Sequence, residues 1–129
     1  MAAANGQRLL LIDDEPLFCH FARKVAEREG YSVKITTRAA EFKRAVREFQ
    51  PTVIIMDMVM PDAEGIELLQ YLANLKCRAR ILVISGYNPD YPRLAKAIAG
   101  SHGLTTVQAL TKPIGAKDLR AALAGPSSH

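Results

Sequence analysis

The sequence predicts an α/β fold in which a doubly wound, five-stranded parallel sheet carries helices on both faces. Four short apolar runs end at or just before a polar residue, as strands do when both faces of a parallel sheet are buried. Segments of helical periodicity separate the runs, and repeated strand–helix alternation requires crossovers that make neighbouring strands parallel. The length of 129 residues fits a single domain over residues 1–129, with its core at about residues 8–124.

The predicted strands differ in how completely they are buried. Three apolar runs end at Asp13, Asp57 and Ser85, and a weaker fourth comes shortly before Lys112. A further segment alternates Tyr, Val and Ile with Ser and Lys, which predicts a half-exposed strand at an edge of the sheet. In chain order, the predicted strands are residues 9–12, 31–35, 53–56, 81–84 and 107–110.

Five helices are predicted to alternate with these strands. The first begins at Pro16 and ends before Gly30, and Thr37 is the predicted N-cap of the second. The fourth is predicted to be short, because Pro92 and Gly100 bound it. The apolar face of the first helix is predicted to hold Leu17, Phe21 and Val25. The later helices are predicted at Ala39–Phe49, residues 65–75, residues 94–99 and Ala116–Ala124.

The polar residues that end the strands form the candidate site. Carboxyl ends of parallel strands meet at one edge of a sheet, so these side chains are predicted to converge there. Three carboxylates stay ionised together only around a divalent cation, and oxygen-only ligands favour Mg²⁺ over zinc. A carboxylate nucleophile beside Mg²⁺ and a lysine suits the formation of an acyl phosphate. Each aspartate alone could be a capping or turn residue, but the whole set argues for a site. The set is Asp13, Asp14, Asp57, Ser85 and Lys112.

Four motifs in matching order and spacing make the chain resemble bacterial response-regulator receiver domains. They are Leu-Ile-Asp-Asp-Glu at residues 11–15, Ile-Met-Asp-Met-Val-Met-Pro-Asp-Ala-Glu-Gly at residues 55–65, Ile-Ser-Gly at residues 84–86 and Thr-Lys-Pro-Ile at residues 111–114. The resemblance covers about residues 8–124. It implies a receiver fold and a phosphorylated signalling switch rather than an enzyme that turns over an external substrate.

The resemblance also implies a role for each matching residue. Asp57 would accept the phosphoryl group, the Ser85 hydroxyl would bind it, and Lys112 would form an ion pair with it, followed by a cis peptide bond before Pro113. Asp14 would bind Mg²⁺ directly and Asp13 largely through water. Gly65 would permit the turn into the third helix, and Gly86 would leave room beside the phosphoryl group. The implied metal ligands are Asp13, Asp14, Asp57 and the backbone carbonyl of Val59.

Protein partners follow from the same resemblance. A sensor histidine kinase or a histidine phosphotransfer protein would supply the phosphate. No output domain is recognised in the sequence, so a stand-alone receiver is expected, with a downstream protein target as its output. This target is expected on the last two helices and the fifth strand, where a homodimer would also form. The basic residues expected there are Arg93, Lys96, Lys117 and Arg120.

Two features depart from the family pattern. Receiver domains carry Tyr or Phe three residues before the lysine, whereas this chain has Ala109. The stretch between Ser85 and Lys112 is also longer than expected, and Tyr87 or Tyr91 within it is a candidate substitute for the missing aromatic residue. The resemblance implies that the residues two positions after Asp57 and Ser85 control the rate of dephosphorylation. These are Val59 and Tyr87, which orient a hydrolytic water poorly, so the phosphoryl group is predicted to be long-lived.

Composition narrows the classes of function. Residues 1–75 hold nine Lys/Arg and eleven Asp/Glu, whereas residues 76–129 hold eight and two, so the positive charge lies in the second half. A solvated face or an acidic partner explains this charge, since no recognition-helix motif supports nucleic acid. No apolar run is long enough for a membrane span and no signal peptide is apparent, so a cytoplasmic protein is expected. Cys19 and Cys77 lack metal or redox spacing and are expected to be reduced.

Other classes of protein also use acidic residues or a sheet of this kind. An aspartate-nucleophile phosphohydrolase needs a second Asp two residues after the nucleophile, where this chain has Val59. A flavodoxin-like module that binds FMN needs a phosphate loop after the first strand, and the acidic residues there would repel phosphate. A receiver-fold binding module that signals without phosphorylation remains the main alternative, because Ala109 and the altered fourth helix favour it.

Overall fold

The computed structural model describes residues 6–58, 65–86, 90–104 and 106–125. Five strands alternate with five helices over these residues, as predicted. The strands are β1 (Arg8–Ile12), β2 (Ser32–Thr36), β3 (Val53–Asp57), β4 (Arg80–Ser85) and β5 (Val107–Thr111). The helices are α1 (Pro16–Arg28), α2 (Ala39–Phe49), α3 (Gly65–Asn74), α4 (Asp90–Ser101) and α5 (Ala116–Ala124).

The strands form one parallel sheet in the order β2-β1-β3-β4-β5. The doubly wound fold is therefore confirmed. β2 lies at an edge and is only partly buried, as its alternating sequence predicts. The chain runs from β1 outward to β2 and then returns to the other side of β1, which makes the β1–β3 boundary the point where strand order reverses. In such sheets, ligands bind outside the carboxyl ends of the strands at this boundary.

Alternation along the strands divides the apolar residues between two cores. On one face, Leu10 and Ile12 pack with the buried sides of α2, α3 and α4. On the other face, Leu9 and Leu11 pack with those of α1 and α5. Neighbouring residues of a strand point to opposite faces, so a strand covered by helices on both sides has no polar face. This explains why the central strands read as continuous apolar runs.

The buried face of α1 differs from the prediction. Leu17 is 83% exposed, and Phe21 is only partly buried. Val25 is buried as predicted, and the other residues of α1 that reach the core are Phe18, Cys19, Ala22 and Ala26. Phe18, Ala22 and Val25 also have helical spacing, so helical periodicity alone does not distinguish this face from the predicted one. The placement leaves a leucine in solvent at the start of α1.

Two helix boundaries also differ from the prediction. Arg38, not Thr37, is the N-cap of α2 and forms no side-chain capping bond. The Thr37 N–H instead donates to Glu41 Oε1 at 3.3 Å. α4 begins before Pro92 because the first N–H groups of a helix have no intrahelical partner, so proline is tolerated there. It continues past Gly100, and Gly103, at a φ of 94°, supplies the left-handed residue after its end.

The carboxyl end of α5 is joined to the sheet by side chains from distant segments. The Arg80 guanidinium donates to the carbonyls of Ala122 at 3.0 Å and Leu123 at 2.5 Å. The Tyr31 hydroxyl also donates to the Leu123 carbonyl, at 2.9 Å. The carbonyls of the last helical turn lack the usual partner four residues later, and besides these donors the Ala122 carbonyl accepts the Gly125 N–H at 3.2 Å. Among the described residues, none of the helices combines the length and apolar character needed to cross a bilayer.

Candidate functional site

Three carboxylates converge at the point where strand order reverses. Asp13 and Asp14 follow β1, and Asp57 ends the neighbouring β3, where Ile12 lies opposite Met56. One oxygen from each carboxylate lies within 4.8 Å of the others. Asp13 and Asp57 are buried, whereas Asp14 is exposed. A cluster of hard oxygen donors with one solvent-facing side fits Mg²⁺, which retains part of its water shell.

Lys112 places its ammonium group beside this cluster. The Nζ atom lies 2.7 Å from Asp13 Oδ2, 3.5 Å from Glu15 Oε1 and 3.9 Å from Asp57 Oδ2. Its side chain is 17% exposed. The Lys112 N–H donates to the Ser85 carbonyl at 3.0 Å, which continues the β4–β5 pairing into the site. The bond between Lys112 and Pro113 is cis, as the sequence resemblance implied.

The backbone around Asp13 is bonded on several sides. Its N–H donates to the Thr36 carbonyl at 3.2 Å, and its Oδ1 accepts the Glu15 N–H at 2.8 Å. The Cys19 thiol donates to the Asp13 carbonyl at 3.3 Å. Each contact comes from a different local element, namely the edge strand, the turn and α1. The Asp13 carboxylate is therefore fixed in orientation, and Lys112 is its cationic partner.

Burial and charge act in opposite directions on these groups. Burial raises the pKa of Asp13, and the hydrogen bonds from Lys112 and the Glu15 N–H offset this only in part. Burial works to lower the pKa of Lys112, but the hydrogen bond and charge of Asp13, together with Asp57 and Glu15, raise it. Lys112 is thus held as an ammonium. Burial raises the pKa of the Cys19 thiol to about 11, so Cys19 is a neutral hydrogen-bond donor.

Ser85 ends β4 next to Asp57. It is fully buried, and the adjacent Ile84 lies opposite Asp57 in the sheet. A methyl group built at Gly86 would lie 3.4 Å from Lys112 Cβ, an ordinary contact distance. Glycine at position 65 has a stronger structural reason, since a Cβ there would come within 2.8 Å of three Met58 atoms. Close packing on Met58 therefore favours glycine at this position, and the turn that precedes it lies outside the described residues.

Sequence reasoning anticipated part of this arrangement. The structure brings together Asp13, Asp14, Asp57 and Lys112 and places Ser85 on the adjoining strand. Val59 and Tyr87 lie outside the described residues, as does the side chain of Tyr91, and their proposed roles stay predictions. Glu15 and Phe18 both contact Lys112 but were not predicted as site residues. The spacing of the α1 core stripe was the signal that could have found Phe18.

Comparison with known proteins places the chain among signalling domains. The family model described as response regulator receiver domain matches residues 9–124. The photosynthetic apparatus regulatory protein RegA of Rhodobacter capsulatus is 29% identical over 119 residues, which are 92% of this chain and 62% of that protein. The transcriptional regulatory protein TrcR of Mycobacterium tuberculosis is 26% identical over 95% of this chain and 47% of its own length. The chain thus spans at most about three fifths of these curated relatives.

Solved structures agree on the fold. A CheY-like receiver domain protein from Methanospirillum hungatei superposes with a TM-score of 0.79 at 24% identity, covering 92% of this chain and 90% of that one. A response regulator from Burkholderia pseudomallei superposes with a TM-score of 0.75 at 27% identity, covering 91% of this chain and 66% of that one. The latter structure contains a phosphorylated aspartic acid, a calcium ion and citrate.

Proposed function

Because the chain belongs to the response regulator receiver domain family, we propose that it accepts a phosphoryl group on Asp57 in an Mg²⁺-dependent step and then presents an altered surface to a protein partner. Family membership makes it a signalling domain of two-component systems. The observation that carries the finer proposal is the site itself, where three carboxylate oxygens lie within 4.8 Å of one another beside the Lys112 ammonium.

The proposed reaction transfers a phosphoryl group from a nitrogen or oxygen atom of the donor to a carboxylate oxygen of Asp57. An Asp57 carboxylate oxygen attacks phosphorus and forms an O–P bond, while the bond to the nitrogen or oxygen of the donor breaks and the donor leaves with that electron pair. Bound Mg²⁺, held by the carboxylates of Asp13, Asp14 and Asp57, would supply positive charge for the phosphoryl oxygens. Val59, as the fourth proposed ligand, remains a prediction.

Lys112 and Ser85 would act on the phosphoryl group once it is attached. The Lys112 ammonium lies nearer to Asp13 than to Asp57 in this structure, at 2.7 Å against 3.9 Å. A phosphoryl group on Asp57 would add negative charge and compete with Asp13 for the ammonium. Ser85 is buried at the end of the adjacent strand β4, and its hydroxyl would donate to another phosphoryl oxygen. These two residues would couple phosphorylation to β4 and β5.

A related structure supports the choice of chemistry. The Burkholderia pseudomallei response regulator contains a phosphorylated aspartic acid and a calcium ion. Calcium and magnesium both take oxygen ligands, although Mg²⁺ demands a smaller, octahedral site. At 27% identity over 91% of this chain, that protein supports an aspartyl phosphate and a bound divalent cation here.

The proposed phosphodonor is a sensor histidine kinase or a histidine phosphotransfer protein. A protein donor must place its phosphohistidine over the rim of the sheet, close to the start of α1. Leu17 is 83% exposed there, next to Phe18, whose ring contacts Lys112. An exposed leucine at the rim of a site fits contact with an apolar surface of the donor.

The proposed output surface consists of α4, β5 and α5. The four basic residues expected there, two on each helix, are all exposed, although Arg93 is paired with Asp90 at 2.6 Å. β5 is an edge strand and so has a free side in the described sheet. A downstream protein with acidic side chains would match this surface in charge. A homodimer on the same surface remains a prediction.

Metal dependence and the chemical nature of the product test the proposal together. The protein is incubated with acetyl phosphate in Mg²⁺ or in EDTA, and the phosphorylated product is then treated with hydroxylamine. Phosphoryl incorporation that requires Mg²⁺ and is removed by hydroxylamine supports an aspartyl phosphate, because acyl phosphates react with this nucleophile. A hydroxylamine-resistant product would indicate a phosphorylated hydroxyl group and contradict the proposal.

A further inference from the structure

The aromatic ring of Phe18 borders the ammonium group of Lys112. The Nζ atom lies 4.5 Å from the ring centroid, within the range of a cation–π contact. The other neighbours of the ammonium described above are carboxylate oxygens of Asp13, Glu15 and Asp57. Lys112 therefore has anionic partners together with a neutral aromatic surface.

The position of the Phe18 ring is fixed by its surroundings. Phe18 is 7% exposed and belongs to the core that joins α1 and α5 to the sheet. Its ring packs against Phe21 with centroids 6.2 Å apart and planes tilted by 51°. The next residue, Cys19, bonds to the Glu15 carbonyl through its N–H and to the Asp13 carbonyl through its thiol. α1 thus holds the ring at a defined place relative to Asp13.

A fixed ring limits where the ammonium can go. A lysine side chain is long and flexible, and its charged group usually seeks water. A ring face offers electrostatic attraction without a competing negative charge and excludes water from that side. The ammonium is then confined to the region between Asp13 and Asp57. From there it has only a short distance to move from Asp13 to a phosphoryl group on Asp57.

We propose that Phe18 is a positioning residue for phosphoryl transfer, which holds the Lys112 ammonium by a cation–π contact between Asp13 and Asp57. This inference rests on the function proposed above. It assigns Phe18 no contact with the phosphoryl group, and its effect passes through Lys112. A residue that only fills the core would affect the reaction equally whether or not Lys112 is present.

A double-mutant cycle tests this dependence. The rate of phosphorylation by acetyl phosphate is measured in Mg²⁺ for Phe18→Leu, for Lys112→Met and for the double variant. Phe18→Leu is expected to slow the reaction about three- to thirtyfold, the range that a cation–π contact can supply. The same substitution is expected to have less than about a twofold effect in the Lys112→Met background. Equal slowing in both backgrounds, or none in either, would overturn the proposal.

Two further variants separate the ring from general packing. Phe18→Tyr retains the ring and is expected to keep the rate within about twofold of the wild type. Phe42→Leu removes a buried ring from α2, in the core on the opposite face of the sheet, and it should also leave the rate nearly unchanged. A Phe42→Leu protein as slow as Phe18→Leu would contradict a specific role for Phe18.

A spectroscopic measurement keeps this inference distinct from the proposed function. Aliphatic protons above a ring face resonate upfield, so NMR should show the ε-methylene protons of Lys112 shifted upfield in the wild type and returned to ordinary values in Phe18→Leu. Absence of this difference would contradict the contact whatever the rates are. If the contact is present and the wild-type protein takes up no phosphoryl group, the function proposed above fails, and with it the role of Phe18 in transfer.

Discussion

Asp14 is the exposed carboxylate of the acidic cluster, so its substitution disturbs the core least. Its charge adds to the repulsion between Asp13 and Asp57, at a cost of about 1 kcal/mol for charges a few ångströms apart in water. Asp14→Asn is therefore expected to raise stability without Mg²⁺ by up to about 1 kcal/mol and to reduce the rise in Tm that Mg²⁺ causes. Thermal unfolding with and without Mg²⁺ measures both effects.

An aspartate away from the site provides the matched control. Asp118 is exposed on α5, and Asp118→Asn should leave the Mg²⁺-dependent rise in Tm unchanged. If Asp14→Asn keeps the full rise, Asp14 does not bind the metal. If neither the wild type nor the control responds to Mg²⁺, the cluster does not hold the ion.

Lys112 stabilises a buried carboxylate in addition to its proposed role in transfer. Asp13 is fully buried, and Lys112 donates to its Oδ2 at 2.7 Å. Removing one partner of a buried ion pair leaves the other without compensation, which typically costs about 3–5 kcal/mol. Because Lys112 is 17% exposed, Lys112→Met is expected to lower the free energy of unfolding in EDTA by about 2–3 kcal/mol. Mg²⁺ should restore part of this loss, because it also neutralises Asp13.

Urea unfolding in EDTA and in Mg²⁺ measures this effect. Lys112→Arg keeps the charge and should lose less stability than Lys112→Met. Equal stability of the wild type and Lys112→Met in EDTA would show that Asp13 does not depend on the lysine.

At the scale of elements, the end of α5 depends on Arg80. The guanidinium donates to two carbonyls in the last turn of α5, one of which, that of Ala122, also accepts the Gly125 N–H. Arg80→Met retains much of the apolar stem and removes both bonds, so the free energy of unfolding is expected to fall by about 1–3 kcal/mol. Arg78→Met, at an exposed position two residues earlier, should change it by less than about 0.5 kcal/mol. Urea unfolding that ranks the two variants equally would contradict this account of α5.

The start of α1 is the proposed contact with the protein phosphodonor, which a substitution of Leu17 can test. Leu17→Glu replaces an exposed apolar side chain at the rim of the site, so it should not destabilise the fold. It is expected to slow transfer from a phosphorylated histidine kinase or phosphotransfer protein at least about tenfold, the loss typical of a buried interface anchor. Transfer from acetyl phosphate, which needs no protein contact, should be unchanged.

Leu94→Glu, at a 55% exposed leucine on α4, serves as the control for surface charge. It should leave transfer from both donors unchanged. If Leu17→Glu slows acetyl phosphate as well, the substitution disturbs the site itself. If it slows neither donor, the start of α1 is not the contact with the phosphodonor.

At the scale of the whole molecule, the sequence predicted the sheet and the gathering of acidic residues because both follow from local patterns. Continuous apolar runs such as residues 53–56 occur where helices cover both faces, and the parallel arrangement then brings Asp13 and Asp57 to one edge. Other features depend on contacts between distant segments. The burial of Phe18 rather than Leu17 depends on how α1 packs on the sheet, and two helical stripes were available to it.

The same reason applies to the contacts of individual charged groups. Nothing near Arg80 in the sequence indicates that it bonds to the end of α5, more than 40 residues later. The preference of Lys112 for Asp13 over Asp57 likewise depends on distances set by three elements. The ends of α4 were predicted wrongly because Pro92 and Gly100 were taken as boundaries. Proline is tolerated in the first turn of a helix, and glycine is tolerated near its end, so α4 includes both residues.

The most direct test of the central claim is the intact mass of the protein after incubation with Mg²⁺ and acetyl phosphate at low temperature, with Asp57→Ala as the control. The account predicts a gain of one phosphoryl group in the wild type and none in the variant. No gain in the wild type, together with no binding of beryllofluoride, would contradict phosphorylation at Asp57. An equal gain in Asp57→Ala would contradict it as well, because the phosphoryl group would then be on another residue.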